Sequence, residues 1–161
     1  MANEALLKVI NGFGKYVVSQ SRSNLTRKKM NASKNLYNSI SFKAAETKDG
    51  FTIVFSMPDY GFYQDKGVSG IKKKYNTPYA YTSKMPPAKA FANWAVRRGL
   101  EGVRDKKTGR FITRQSLQWA IARSVYLYGI EPKYFFSMPL ERAKEKFVPD
   151  VIEALIDSLK K

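Results

Sequence analysis

The chain of 161 residues contains no cysteine and no histidine. Without cysteine there can be no disulfide, no thiolate metal site and no cysteine nucleophile. Without histidine the commonest general base and the commonest metal ligand are both missing. Acidic residues are also scarce, with 13 Asp and Glu against 29 Lys and Arg. No apolar run approaches the ~20 residues needed to cross a bilayer. Near the N-terminus, Glu4, Lys8, Asn11 and Lys15 interrupt the apolar pattern, so no signal-peptide core is expected. These absences predict a soluble protein made in a cytoplasm, and an enzyme here would have to work with Asp, Glu, Lys, Tyr or Ser alone; no cofactor is expected.

What is present argues for a folded chain. Hydrophobic residues make up 43% and aromatic residues 14%, too much for a disordered segment. The length fits a single domain spanning 1–161. The net charge of +16 is unevenly spread. Residues 1–49 hold nine basic and three acidic side chains, and residues 66–114 hold thirteen and two. Residues 50–65 are net −2, and 115–161 only +1. An anionic partner, either nucleic acid or an acidic protein surface, is one explanation. A solvated basic face that aids solubility is the plainer one.

Apolar spacing outlines the elements. Leu6, Ile10, Phe13 and Val17 mark one face of an N-terminal helix, weakened by Gly12 and Gly14. Residues 21–35 are polar and basic, either a flexible arm or more of that helix. A β-hairpin follows, with Ile40 and Phe42 alternating on one strand and Phe51, Ile53 and Phe55 on the other, turned at Asp49-Gly50. In "DYGFYQDKG", Asp59 caps a short helix that Gly67 ends, and Tyr60, Phe62 and Tyr63 are expected to pack back onto the sheet. Residues 66–86 read as a long loop with three consecutive lysines and three tyrosines. Such a mixture can grip single strands by stacking. Pro86-Pro87 opens a helix carrying Ala88, Phe91, Ala92 and Ala95 on one face, closed by Gly99. A small hairpin turns at Thr108-Gly109. Ser116 caps a helix with Leu117, Ile121, Val125 and Tyr128 at helical spacing, stopped by Gly129. The last helix is expected from Pro139, kinked or split at Pro149.

Catalytic motifs are weak. Asp59, Asp65 and Lys66 loosely echo the carboxylate pair and lysine of metal-dependent nucleases. However, Asp65 and Lys66 are adjacent, and on a strand they would point to opposite faces. No phosphate-binding or dinucleotide glycine pattern occurs. No catalytic residue is expected.

Three stretches taken in order resemble the minor head–tail joining and tail-completion family of tailed phages. "YGFYQDKG" is similar to the family's Tyr-Ala-x-x-x-Glu-x-Gly corner, with Tyr60, Asp65 and Gly67 in place and Asp65 standing for the Glu. "GIEPKYFFSMPLERA" resembles its Gly-Ile-x-Pro-x-Pro-Phe segment through Gly129, Ile130, Pro132, Phe135 and Phe136. "FANWAVRRGL" is similar to a Trp-containing helix that some members insert. The likeness spans residues 36–147 and departs from the family where Tyr134 replaces the second Pro and where the 68–86 loop is long and basic.

The resemblance implies an α+β domain: an antiparallel sheet with an N-terminal helix and C-terminal helices packed on it, plus the long loop insertion. It implies a non-enzymatic virion protein that forms a ring at the neck, beside portal-side and tail proteins, with contact to double-stranded DNA left open. The corner of Tyr60, Asp65 and Gly67 would be structural, Asp65 bonding nearby backbone N–H groups. Docking would fall to Arg27, Lys28 and Lys29 in the arm and to Lys72, Lys73, Lys74 and Tyr75 in the loop. A basic nucleic-acid-binding protein, either a packaging accessory or a nuclease, is the rival expectation.

Overall fold

The computed structural model describes residues 4–31, 33–47, 50–100 and 102–159. The fold is α+β. Among the described residues it has six α-helices and one two-stranded antiparallel sheet. The chain, expected as one domain, separates into two compact units. One comprises the residues up to Gly61 together with those from Tyr134 onward, and the other is Phe62–Lys133.

The first unit is built on α1 (Glu4–Arg27), α2 (Asn35–Ser39), the hairpin β1 (Ser41–Thr47) and β2 (Gly50–Ser56), and α6 (Ser137–Leu159). Helix α1 buries Leu6, Ile10, Gly14, Val17, Ser21 and Leu25, a stripe that continues well past Val17. The segment 21–35 is therefore helix as far as Arg27, because Ser21 and Leu25 extend the buried face by two more turns. The hairpin register pairs Phe42 with Phe55 and Ala44 with Ile53. Asp49 of the expected turn lies outside the described residues.

Helices α1 and α6 pack on one another and on this sheet. Phe13 meets Phe55 at 6.2 Å and Phe147 at 5.9 Å, and Phe55 meets Phe136 edge-on at 5.4 Å. Edge-to-face rings of this kind add to simple area burial. Gly14, which weakens α1 locally, is explained by packing. A Cβ there would lie 2.2 Å from the Phe42 ring, so only glycine lets the strand's aromatic sit against the helix. At the other end of the unit, Leu25, Leu36, Ile40 and Phe135 form a second buried cluster. Helix α6 begins at Ser137, two residues before the expected start, and is not split at Pro149. Its buried side runs through Ala143 and Ala154, with Phe147 and Val151 half-buried, while Leu155 is 40% exposed.

The second unit contains most of α3 (Asp59–Lys66), a 3₁₀ turn at Ala88–Phe91, α4 (Ala92–Arg97) and α5 (Arg114–Tyr128). The 3₁₀ turn and α4 both pack on α5. Ala95 and Ala122 are the buried apolar helix positions among the described residues here. Helix α5 starts three residues earlier than a cap at Ser116 would place it. Thr113 is the N-cap, and its hydroxyl accepts from the Ser116 N–H at 3.1 Å. Gly129 ends α5 with φ +74°, as expected of a C-terminal glycine. The small hairpin is present too: Arg104 and Phe111 bridge antiparallel around Gly109, with φ +68°.

Candidate interaction surface

The 66–86 segment has little regular structure but is closely fastened. Val68 and Ile130 exchange two backbone hydrogen bonds, both 2.8 Å. Ser69 N–H donates to Tyr79 O, and Tyr81 N–H donates back to Ser69 O, each at 2.8 Å. The backbone N–H groups of Ile71 and Lys72 donate to Tyr126 O and Leu127 O at 3.0 and 2.8 Å. Those carbonyls belong to the last turn of α5, where intrahelical donors run out, so the loop satisfies groups the helix cannot satisfy itself. The Ser69 hydroxyl donates to Tyr75 O and accepts from Tyr75 N–H. Thr77 Oγ1 donates to Gly67 O at 2.9 Å.

Glycine makes this approach feasible. A Cβ on Gly129 would sit 2.0 Å from Val68 O, and one on Gly70 would sit 2.4 Å from Leu127 O. Two of the three stretches that carry the family resemblance, the one ending at Gly67 and the one beginning at Gly129-Ile130, thus lie side by side, joined by hydrogen bonds. The departure at Tyr134 has a local reason. Its φ is +48°, a value the proline ring forbids.

Within this frame the expected docking residues can be placed. Lys72, Lys73 and Lys74 are exposed, and Tyr75 is half-buried. Lys74 Nζ donates to Gly70 O at 2.8 Å, and Lys73 Nζ lies 5.1 Å from the Tyr75 ring. The loop tyrosines are engaged within the unit rather than held out as stacking platforms. Tyr79 packs edge-on against Tyr63 at 4.8 Å, and Tyr81 against Tyr126 at 6.2 Å. Burial, with Tyr63 nearby, pushes the Tyr81 hydroxyl above its ordinary pKa.

Arg27, Lys28 and Lys29 belong to the other unit, at the end of α1 and in the turn after it, and all three are exposed. Arg27 Nη2 donates to Asn24 Oδ1 at 2.8 Å. Cations at a helix C-terminus also suit the helix dipole, so this cluster has a structural use whatever else it does.

The aromatic corner departs from its expected packing. Tyr60, Phe62 and Tyr63 are each about two-fifths exposed. The buried positions of α3 are Gly61 and Asp65, one helical turn apart. A Cβ on Gly61 would press to 2.9 Å from Leu36 and Met57, so the helix turns its smallest residue inward and its rings outward. Asp65 is only 2% exposed, and its backbone carbonyl accepts from Lys133 N–H at 3.2 Å. Gly67 takes φ +75°, with Ile130 O and Pro132 2.7 Å from where a Cβ would be.

One feature lay outside the sequence reading. Three exposed rings of the second unit each carry an arginine: Arg98 lies 5.8 Å from Trp94, Arg104 4.3 Å from Phe111, and Arg123 5.4 Å from Trp119. Trp94, Phe111 and Trp119 are 42%, 62% and 49% exposed. The Trp119/Arg123 and Trp94/Arg98 pairs sit at i,i+4, a spacing visible in the sequence once both helices are assigned.

Asp59 is exposed, whereas Asp65 is buried. Among the described residues no three acidic side chains gather where they could hold a metal ion. The clefts are open grooves. One of them, beside α1, is lined by Lys15, Ser19, Arg22 and Tyr37, with Arg22 Nη2 donating to Ile40 O at 3.0 Å. No helix among the described residues is long and apolar enough to cross a membrane. No family model, curated protein or solved structure matches this chain.

Proposed function

We propose that this chain is a structural subunit of a tailed double-stranded DNA phage, a head–tail connector or tail-completion protein that forms a ring at the neck of the virion. The observation that carries this reading is the Val68–Ile130 pairing. It lies where the stretch ending at Gly67 meets the stretch beginning at Gly129, two of the three on which the family resemblance rests, with Gly67, Gly70 and Gly129 packed backbone to backbone around it. A shared fold would constrain both stretches together, as here. The exposed lysines of the 66–86 loop supply a surface for acidic partners among neighbouring neck, portal-side and tail proteins, and such contacts would weaken with salt.

Mass spectrometry of purified particles tests the reading: the chain should be present at a fixed copy number. Lys72, Lys73 and Lys74 changed together to Gln should lower particle assembly and infectivity while leaving the fold intact, because the backbone of this loop caps α5. Deleting 70–76 would confound the two effects. Absence from particles would sink the reading.

The arginine–aromatic pairs favour a second reading, a nucleic-acid-binding protein, since arginine and exposed rings suit single strands. Residues 62–133 hold fifteen basic and four acidic side chains, net +11. A binder making six or more phosphate contacts would lose on the order of 10³-fold affinity between about 50 and 200 mM salt. A salt titration with single- and double-stranded DNA separates the two readings.

A further inference from the structure

The outer side of α6 combines exposed apolar side chains with acidic ones. Val148, Ile152 and Ile156 are 48%, 51% and 47% exposed. Spaced four residues apart, they form one stripe along the helix. They line a shallow groove with Pro149, Glu153 and Asp157. From Val148 to Asp157 the helix carries Asp150, Glu153 and Asp157 and no basic residue, in a chain of net charge +16. An apolar stripe with an acidic rim is a poor match for itself, because isologous pairing would bring like charges together. It calls for a cationic partner with apolar surface.

The second unit offers that chemistry. Trp94 with Arg98 and Trp119 with Arg123 combine a large exposed ring with a guanidinium over it. Trp and Arg are the residues that most often anchor interfaces. We propose that the Val148/Ile152/Ile156 face of α6 in one copy docks on the Trp94–Trp119 surface of a second copy, giving a head-to-tail contact. This rests on the ring-forming reading above and names the two patches that a heterologous interface requires. Opposite charge on the two patches steers encounter and rejects pairing of α6 with α6.

Sedimentation of the full chain tests it, with far-UV circular dichroism as a check on folding. The wild-type chain should self-associate, more weakly at high salt. Ile152→Asp combined with Ile156→Asp should weaken association about 30-fold or more, as loss of an anchoring contact does. Trp119→Ala combined with Arg123→Glu should do the same. Both pairs are solvent-exposed, so each variant keeps its fold; Val148→Ser and Arg98→Glu serve as milder substitutes should either fail to. Mixing the two weakened variants is decisive. One intact contact remains between them, so the mixture should form dimers and nothing larger.

Three outcomes would each overturn the proposal: a wild-type chain that stays monomeric to about 1 mM, loss of association in the α6 variant alone, or a mixture with no dimer. Particles play no part in this measurement. A chain that associates through these patches yet is absent from particles would refute the functional reading and leave the contact standing.

Discussion

The two units of this protein are held together by different means. Among the described residues, the unit of α1, α2, the hairpin and α6 contains nine of twelve buried apolar residues, including Leu25, Ile40 and Phe135. Five aromatic ring contacts reinforce it. The described residues of the Phe62–Lys133 unit include only Val68, Ala95 and Ala122 as buried apolar ones. Its most buried run is Gly67-Val68-Ser69-Gly70, where backbone meets backbone through hydrogen bonds. A segment of net charge +11 has few apolar residues to bury, and glycine packing with strand-like bridges substitutes for them. Apolar burial is non-directional and tolerant, whereas close backbone contact is specific and brittle.

That contrast can be broken from either side. The largest effect is expected for Phe135→Ala, which empties a fully buried site and should cost about 3–5 kcal/mol in chemical denaturation. A loss below about 1 kcal/mol would mean that the cluster relaxes freely and that side-chain packing is not what holds the first unit. Next comes Gly129→Ala. Here φ +74° and the Val68 carbonyl both oppose a side chain, and more than about 1 kcal/mol should be lost. Hydrogen exchange should quicken at the Val68 and Ile130 amides while the β1 and β2 amides keep their protection. Equal quickening in both places would erase the distinction between the units.

The smallest effect concerns Asp105. Its Oδ1 accepts from Thr108 N–H, Lys107 N–H and the Thr108 hydroxyl at 2.8, 2.9 and 3.1 Å, and these bonds hold its pKa below the usual carboxylate value. A depressed folded-state value means that the carboxylate supports the turn above the ordinary carboxylate range. That support is lost as pH falls through the depressed value. Amide shifts of Lys107 and Thr108 should report this on acidification, and Asp105→Asn should abolish the pH dependence.

Much of the fold is legible in the chain because its signals are local. Alternation at Phe51, Ile53 and Phe55 marks β2, and Gly67, Gly99, Gly109 and Gly129 each take the positive φ that ends a helix or makes a turn. The signals that fail are those set by partners distant in sequence. The end of α1 looks polar from 19 to 24, yet Ser21 and Leu25 are fully buried. The rings at 60, 62 and 63 look like core, yet Gly61 and Asp65 take the inner positions. Gly14 looks like a defect until Phe42 is placed against it. Of the interaction surface, the lysine triplet and the arm are visible as charge, but the arginine–aromatic pairs appear only once α4 and α5 have their helical phase.

The strap from Ile71 to Lys73 has one more consequence. Its amides are already committed to the end of α5, so the lysines project from a backbone whose ordering cost was met during folding. A partner meeting this triplet need immobilise only side chains, which leaves more of the contact energy for holding the complex together.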